Sequence, residues 1–213
     1  EFDGHIKQQL VLRRDAGDRA PDDVTSRLLR ERINDRPLSD EEIVSIVRNW
    51  TVGELGTIAA SVGILVHHLA THPALQAKLR QQPDDLSAAV DEMLRIHPPL
   101  IANRRVTTCP VDIGGQQLEA GERVTLIWAS ANRDEAVFGD PDAFAPARNA
   151  ANNLLYGAGV HVCPGAPLAR LELNLLMQAL LTNTRDIALD PEQAPLRASF
   201  PASGFASLSV RLQ

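Results

Sequence analysis

The apolar positions of this chain change period several times, and each change marks an element. Between Asp22 and Arg30, Val24, Leu28 and Leu29 are spaced as on a short amphipathic helix, inside a charged stretch (residues 3–36) of mostly helical character. Arg36-Pro37-Leu38 breaks that pattern. Ser39-Asp40-Glu41-Glu42 then reads as a capping box, with Ser39 as N-cap and Glu42 three residues on. A long helix follows from Asp40 to His72, where Pro73 stops it. At the usual rise such a helix spans about 50 Å, which a single domain needs only where a helix crosses its whole core. Gly53, Gly56 and Gly63 lie inside it. Each costs about 1 kcal/mol relative to Ala in a helix interior. The pattern therefore predicts a bulky group close to the backbone, or a local distortion.

Two shorter helices are predicted over Pro73–Gln82 and residues 84–96, the second ended by His97-Pro98-Pro99. Over residues 105–127 the period shortens. Val106, Val111, Ile113, Leu118, Val124, Leu126 and Ile127 read as short strands, punctuated by Gly114-Gly115 and Ala120-Gly121. Residues 132–153 are rich in Pro, Asp, Asn and Ala without a clear period, and read as extended and irregular. A helix over 166–182 carries Leu168, Leu171, Leu175 and Ala179 on one stripe, with Leu176 and Leu180 beside it. The tail from Asp186 reads as short strands and turns. Neither an internal repeat nor a low-complexity tract interrupts the chain.

Bulk properties narrow the class. The chain has 213 residues, 44% of them hydrophobic, enough to build a core. A formal charge of -6 argues against a nucleic-acid surface. No uninterrupted apolar run approaches the ~18 residues of a membrane span, and no secretion signal opens the sequence. Two cysteines, Cys109 and Cys163, make no disulfide framework. A soluble cytoplasmic protein is the simplest reading. Glu1-Phe2, without a methionine, suggests a trimmed or engineered piece.

The chemistry concentrates in Tyr156-Gly157-Ala158-Gly159-Val160-His161-Val162-Cys163-Pro164-Gly165, a glycine-loosened loop that runs into the 166–182 helix. Pro167 suits a first helical turn. Cys163 thus precedes a helix N-terminus, where free N–H groups and the helix dipole favour a thiolate. A lone thiolate without a CxxC partner does not suit structural zinc. Porphyrin iron supplies four nitrogens of its own and needs one protein ligand on this side, and a thiolate there pushes electron density toward O–O cleavage. The plain alternative is a glycine-rich turn with a buried free cysteine.

These residues resemble the haem loop of the cytochrome P-450 family, Phe-Gly-x-Gly-x-His-x-Cys-x-Gly, with Tyr156 in place of the usual Phe. The resemblance implies haem b as cofactor and Cys163 as its axial iron ligand. Tyr156, Gly157, Gly159 and Gly165 would shape the loop, and His161 would contact a propionate. A propionate-binding arginine is implied at Arg104 or Arg105. Counting forward from Glu92 favours Arg104, counting back from Gly114-Gly115 favours Arg105, and strand register favours Arg105. Glu92-Met93-Leu94-Arg95 matches the family's Glu-x-x-Arg, a buried structural pair; on spacing alone it reads as a solvated surface pair. Asn132-Arg133-Asp134, Phe138 and Pro141-Asp142-Ala143-Phe144 match the segment before the haem loop.

In the long helix, Val52-Gly53-Glu54-Leu55-Gly56-Thr57 falls where the family has Ala-Gly-x-Asp/Glu-Thr. Gly53 takes the glycine that lies against the haem, and Thr57 takes the threonine that serves proton delivery. The usual acid before it is Gly56 here. Glu54, three residues before Thr57, is expected to take over some of its role, or water does so. The plain alternative for Thr57 is a hydroxyl bonded back to its own helix. Ala59 and Ala60 leave room for a flat ring.

The fold implied is mainly α with a minor antiparallel β part, a single C-terminal portion of the cytochrome P-450 fold over residues 1–213. The function implied is O2-dependent hydroxylation of a small organic substrate by a haem-thiolate monooxygenase. A separate ferredoxin or flavin reductase would donate electrons, since the chain carries neither a flavin fingerprint nor iron–sulfur cysteine spacing. Neither nucleic acid nor membrane is expected as a partner. The family is about twice as long, so the long helix and the post-cysteine helix are expected to expose apolar faces, and an oligomer or a complementary chain is the implied partner. The rival expectation is a non-catalytic, truncated haem-fold or partner-binding module.

Overall fold

The computed structural model describes residues 1–200 and 202–213. It divides into two compact units, Glu1–Gly56 and Thr57–Gln213.

The first unit begins with α1 (Phe2–Ala16) and a 3-10 turn, Gly17–Arg19, before α2 (Val24–Leu28). Asp23 caps α2, accepting the Ser26 N–H at 2.8 Å. The Arg13 guanidinium grips the same carboxylate at 2.6 Å and holds it well below the usual carboxylate range. The break at residues 36–38 is part of a small hairpin that the periodicity missed. Strands β1 (Arg32–Ile33) and β2 (Arg36–Pro37) pair across Asn34 and Asp35, at φ 50° and 61°. Asn and Asp tolerate this left-handed backbone better than most residues, so the two-residue turn is cheap. The capping box forms as expected: the Glu42 N–H donates to Ser39 Oγ at 3.2 Å, and the Ser39 N–H to Glu42 Oε2 at 2.8 Å. Ile6, Leu10, Leu38, Ile43 and Val44 form this unit's core.

The long helix, α3 (Asp40–Thr71), contains the boundary between the units. His72, expected as its last residue, caps the next helix instead: α4 (Pro73–Gln81), with Pro73 in the first turn. No apolar run was expected to approach the length of a membrane span. α3 is long and apolar enough to cross one by length and composition. Its Ala, Gly and Thr residues keep the apolar stretch from reading as a continuous run. Its C-terminal part is a core helix, with Ile64, Leu65, Val66 and Leu69 all buried.

In the second unit those residues meet Leu79 of α4 and Leu86, Ala89, Val90, Met93 and Leu94 of α5 (Leu86–Ile96). Four strands follow: β3 (Ala102–Val106), β4 (Val111–Ile113), β5 (Gln116–Leu118) and β6 (Arg123–Ile127). β3 pairs antiparallel with β6, and β4 with β5. The strand region starts at Ala102, not Arg105, because β3 pairs along its full length with β6.

The segment expected to be irregular carries helical turns. After α6 (Trp128–Ala131) come α7 (Glu135–Phe138), α8 (Pro146–Asn149) and a 3-10 turn, Ala150–Asn152. Each is too short to show a period, but local chemistry starts them. Asp134 accepts the Ala136 N–H at 2.9 Å, and Pro146 begins α8.

The last helix, α9 (Ala166–Asn183), buries a different stripe from the one its leucines suggest. Ala166, Leu173, Met177 and Leu181 are buried, while Leu168, Leu171, Leu175, Leu176 and Ala179 are exposed. Apolar residues surround this helix, so periodicity alone could not choose the inward face. The tail forms β7 (Ile187–Leu189), β8 (Leu196–Arg197), β9 (Phe205–Ser207) and β10 (Val210–Leu212), paired antiparallel as β7 with β10 and β8 with β9.

Among the described residues, none crowds the helix glycines. A Cβ at Gly53 or Gly56 would meet nothing within 4 Å, and one at Gly63 would make an ordinary 3.8 Å contact with Phe205. The close approach lies elsewhere. Gly204, at φ 82°, lies against α3, where a Cβ would come within 3.2 Å of the Ala60 carbonyl oxygen. Ala60 is therefore taken up by the tail, and only Ala59 of that expected pair stays exposed.

Candidate functional site

The loop before α9 owes its path to two glycines. Gly157 and Gly159 sit at φ 74° and 69°, a region costly for any residue with a Cβ. They reverse the chain so that the Cys163 N–H donates to the Tyr156 carbonyl oxygen at 2.9 Å, closing the loop. Gly159–His161 forms a 3-10 turn, and Gly165 caps α9. A Cβ on Gly165 would stand 3.8 Å from Cys163 Sγ, so that position sits beside the sulfur.

Cys163 is a free thiol and exposed. The plain alternative, a cysteine buried among hydrocarbon, is therefore not what the chain builds. Its donor chemistry fits porphyrin iron: one accessible, unbridged sulfur just before the start of a helix. Among the described residues no group of three or more His, Cys, Asp or Glu could hold a bare metal ion. His161, two residues before Cys163, is exposed as well.

Tyr156 shows what the departure from Phe brings. Its ring lies under the Arg170 guanidinium, 4.5 Å from centroid to Cζ. Its hydroxyl is buried without a hydrogen-bond partner. Burial, reinforced by the Asp91 carboxylate, pushes the phenol up to about 12. Arg170 is itself held by Asp91, Nε to Oδ2 at 2.9 Å. Burial raises the Asp91 carboxyl above its ordinary value even against the Arg170 charge. Asp91 and Arg170 are members of this site that sequence reasoning missed. Asp91 adjoins a recognised motif, but no spacing signals a partner 79 residues away.

Glu92 and Arg95 form a buried pair, with Arg95 Nε and Nη2 donating to Glu92 at 2.8 and 3.0 Å. The surface reading that their spacing suggested is thus corrected: α5 turns that face into the protein. Both residues then reach past each other. Arg95 donates to the carbonyls of Asn132 at 2.6 Å and Pro141 at 2.8 Å, and stacks over Phe138. Glu92 accepts from the Ala145 N–H at 3.0 Å and from Asn149 Nδ2 at 2.7 Å. Burial alone would raise the Glu92 pKa. The hydrogen bonds from Arg95, Ala145 and Asn149 outweigh it and hold the carboxyl below its ordinary value. Asn132 Oδ1 accepts the Leu154 N–H at 2.8 Å, and Asn153 Nδ2 donates to the Asp91 carbonyl at 3.1 Å. One helix therefore fixes the chain from residue 132 to the threshold of the Tyr156–Gly165 loop.

Arg104 and Arg105 part company in β3. Strand alternation sets Arg105 with half-buried Asn103, opposite Val124 and Leu126 of β6, and turns Arg104 to the exposed side. Trp128 Nε1 donates to Asn103 Oδ1 at 2.7 Å on that covered side. Gly53, Glu54 and Thr57 all fall within α3. Glu54 and Gly53 are exposed, and Thr57 is half-buried.

A histidine group lies outside these motifs. His68 stacks on His72 at 4.1 Å, and both line a cavity together with His97, Arg133, Asp142 and Phe144. His68 is buried with Nε2 unpartnered, and burial pushes it down to about 4.

Comparison with known proteins identifies the family. The family model described as Cytochrome P450 matches residues 2–208. Cyclomarin C epoxidase CymV of Salinispora arenicola is 38% identical over 159 residues, 75% of this chain and 40% of that protein. Linalool 8-monooxygenase of Pseudomonas putida is 32% identical over 190 residues, 89% of this chain and 47% of the relative. Among solved structures, CYP109E1 from Bacillus megaterium in complex with corticosterone superposes with a TM-score of 0.89 at 26% identity, over 98% of this chain and 57% of that one. The chain spans about half the length of the curated relatives it matches.

Proposed function

The chain belongs to the cytochrome P450 family, and on that premise we propose that it is the haem-binding C-terminal portion of a haem-thiolate monooxygenase, one continuous piece of that fold over residues 1–213. The observation that carries the proposal is the exposed Cys163 sulfur, held by a backbone hydrogen bond in a glycine-reversed loop at the start of α9. Haem b, when bound, supplies activation of O2 and insertion of one oxygen atom into the substrate. Every other task belongs to side chains. Cys163 would hold the haem iron through its sulfur, which its loop leaves exposed. His161 and Arg105, with Arg104 the weaker candidate, neutralise the propionates. Glycine at 157, 159, 165 and 53 keeps bulk away from the ring.

Thr57 and Glu54 move protons to the substrate side of the site. The Gly56 position removes the acid that usually precedes the threonine. Glu54, one turn earlier on α3, is the carboxylate left to do its work. Replacing Thr57 by Ala is expected to lower product formed per reducing equivalent; an unchanged yield removes Thr57 from the reading.

The substrate is a small organic molecule, as the names of the relatives, an epoxidase and a linalool monooxygenase, suggest. A ferredoxin or flavin reductase donates the electrons, and the cytoplasm is the compartment. The deciding experiment is a CO-difference spectrum of the reduced, haem-loaded chain. A band at the thiolate-haem position is the expected result, and failure to take up haem overturns it. A second reading, a partner-binding module without catalysis, draws on the exposed Leu168, Leu171 and Leu175 of α9. Failure of haem uptake would favour it.

A further inference from the structure

We infer that Arg170 is a positioning residue for Cys163, clamping Tyr156 so that its carbonyl holds the cysteine amide in place; the inference rests on the haem-thiolate reading above. Three elements meet at this clamp. Asp91 comes from α5, Tyr156 from the loop and Arg170 from α9. Asp91 orients the guanidinium at 2.9 Å, and the guanidinium covers the Tyr156 ring at 4.5 Å. The Tyr156 carbonyl then receives the Cys163 N–H at 2.9 Å. Asn153, three residues before Tyr156, also binds the Asp91 backbone at 3.1 Å. The loop is therefore pinned to α5 on one side and to α9 on the other. Its glycines give it freedom, and the clamp takes that freedom away where the sulfur must be held.

The clamp also contains two buried oxygens without hydrogen-bond partners among the described residues, Tyr156 Oη and Asp91 Oδ1. Its unpaired polar groups add no hydrogen bond to the loop. Asn153 and Leu154 fix the chain just before the loop, whereas at Tyr156 itself the ring-to-guanidinium contact, oriented by the Asp91 ion pair, makes the link to α9, and that link turns on Arg170.

The test uses the full chain carrying Cys109→Ser, which leaves Cys163 as its one thiol. Arg170→Gln removes the cation; Arg170→Lys keeps a charge for Asp91 but loses the planar face. Amide exchange at Cys163 is read against Leu173 and Met177 in the haem-free chain. Arg170→Gln is expected to speed Cys163 exchange by roughly 2- to 5-fold, the size of an exposed cation–π contact. Lys is expected to recover part of this, and the core amides to stay unchanged. On a Tyr156→Leu background, Arg170→Gln is expected to have no further effect. In the haem-loaded chain, the share of CO complex in the thiolate band is expected to fall with Arg170→Gln and to recover partly with Lys. Unchanged Cys163 exchange, equal acceleration of the core amides, or additive effects with Tyr156→Leu would each overturn the inference. A wild-type chain that lacks the thiolate band overturns the functional reading instead, and the exchange arm still judges Arg170.

Discussion

The Glu92–Arg95 node and the Cys163 loop are neighbours along α5 and α9, yet they are built on opposite terms. At the node both charged side chains are buried, and each is tied to the other and to at least two further groups. In the loop the sulfur is exposed, the tyrosine hydroxyl is unpartnered and the backbone reverses through two left-handed glycines. On the proposed reading, the contrast separates a scaffold from a ligand-holding site. A scaffold uses its donors and acceptors internally, because an unpaired buried charge would be costly. A site that takes a cofactor keeps its reactive atom out of such networks.

Breaking the node gives the largest expected effect. Arg95→Ala or Glu92→Ala leaves a charge buried without its partner, which costs about 3–5 kcal/mol. Loss of the cooperative near-ultraviolet circular dichroism transition is the expected outcome. A variant that unfolds normally would show that the node is dispensable and that the contrast with the loop is false.

Acid tests the same unit from another side. His68 is pushed down to about 4 in the folded chain, against an ordinary value of 6.5. Between pH 6.5 and 4 the unfolded chain binds a proton there that the folded chain does not, so stability is whole above pH 6.5 and declines toward pH 4. Glu92, held below its ordinary value, adds a loss at still lower pH, as its carboxyl is forced to protonate. Urea midpoints measured across this range are expected to fall with acid, and His68→Leu to flatten the upper part of the slope.

The capping box asks whether satisfaction without burial is enough to matter. Ser39 and Glu42 exchange two hydrogen bonds at an exposed helix start. Ser39→Ala is expected to cost about 1 kcal/mol, read as a lower denaturant midpoint for the first unit, well short of the node. Cys163→Ser is the mildest change for folding: an exposed side chain outside any network, it is expected to shift stability by no more than about 0.5 kcal/mol. The thiolate-haem band is expected to disappear with it. A large loss of stability would place Cys163 with the scaffold.

Much of this arrangement is legible in the amino-acid sequence. Pro73 and His97-Pro98-Pro99 end helices, Gly114-Gly115 turns a hairpin, and Ser39 with Glu42 starts α3. These signals are local, because a missing N–H or a missing Cβ acts on its own residue. The Tyr156–Gly165 pattern was equally plain, since backbone reversal needs glycine where it occurs. Less legible were the one-turn helices between residues 135 and 149, too short for a period, and the hairpin at Asn34-Asp35.

What the chain's order of residues determined by itself was therefore the run of helices and turns and the loop that offers a thiol, because propensity, capping and glycine geometry act within a few residues. Only the tertiary structure decided which side of α9 faces inward, that Glu92 and Arg95 are buried, and that Asp91 and Arg170 close over Tyr156. Those outcomes depend on groups far apart in sequence competing for the same space. No spacing encodes which of several apolar stripes will win the core, or which distant cation will find a ring to cover.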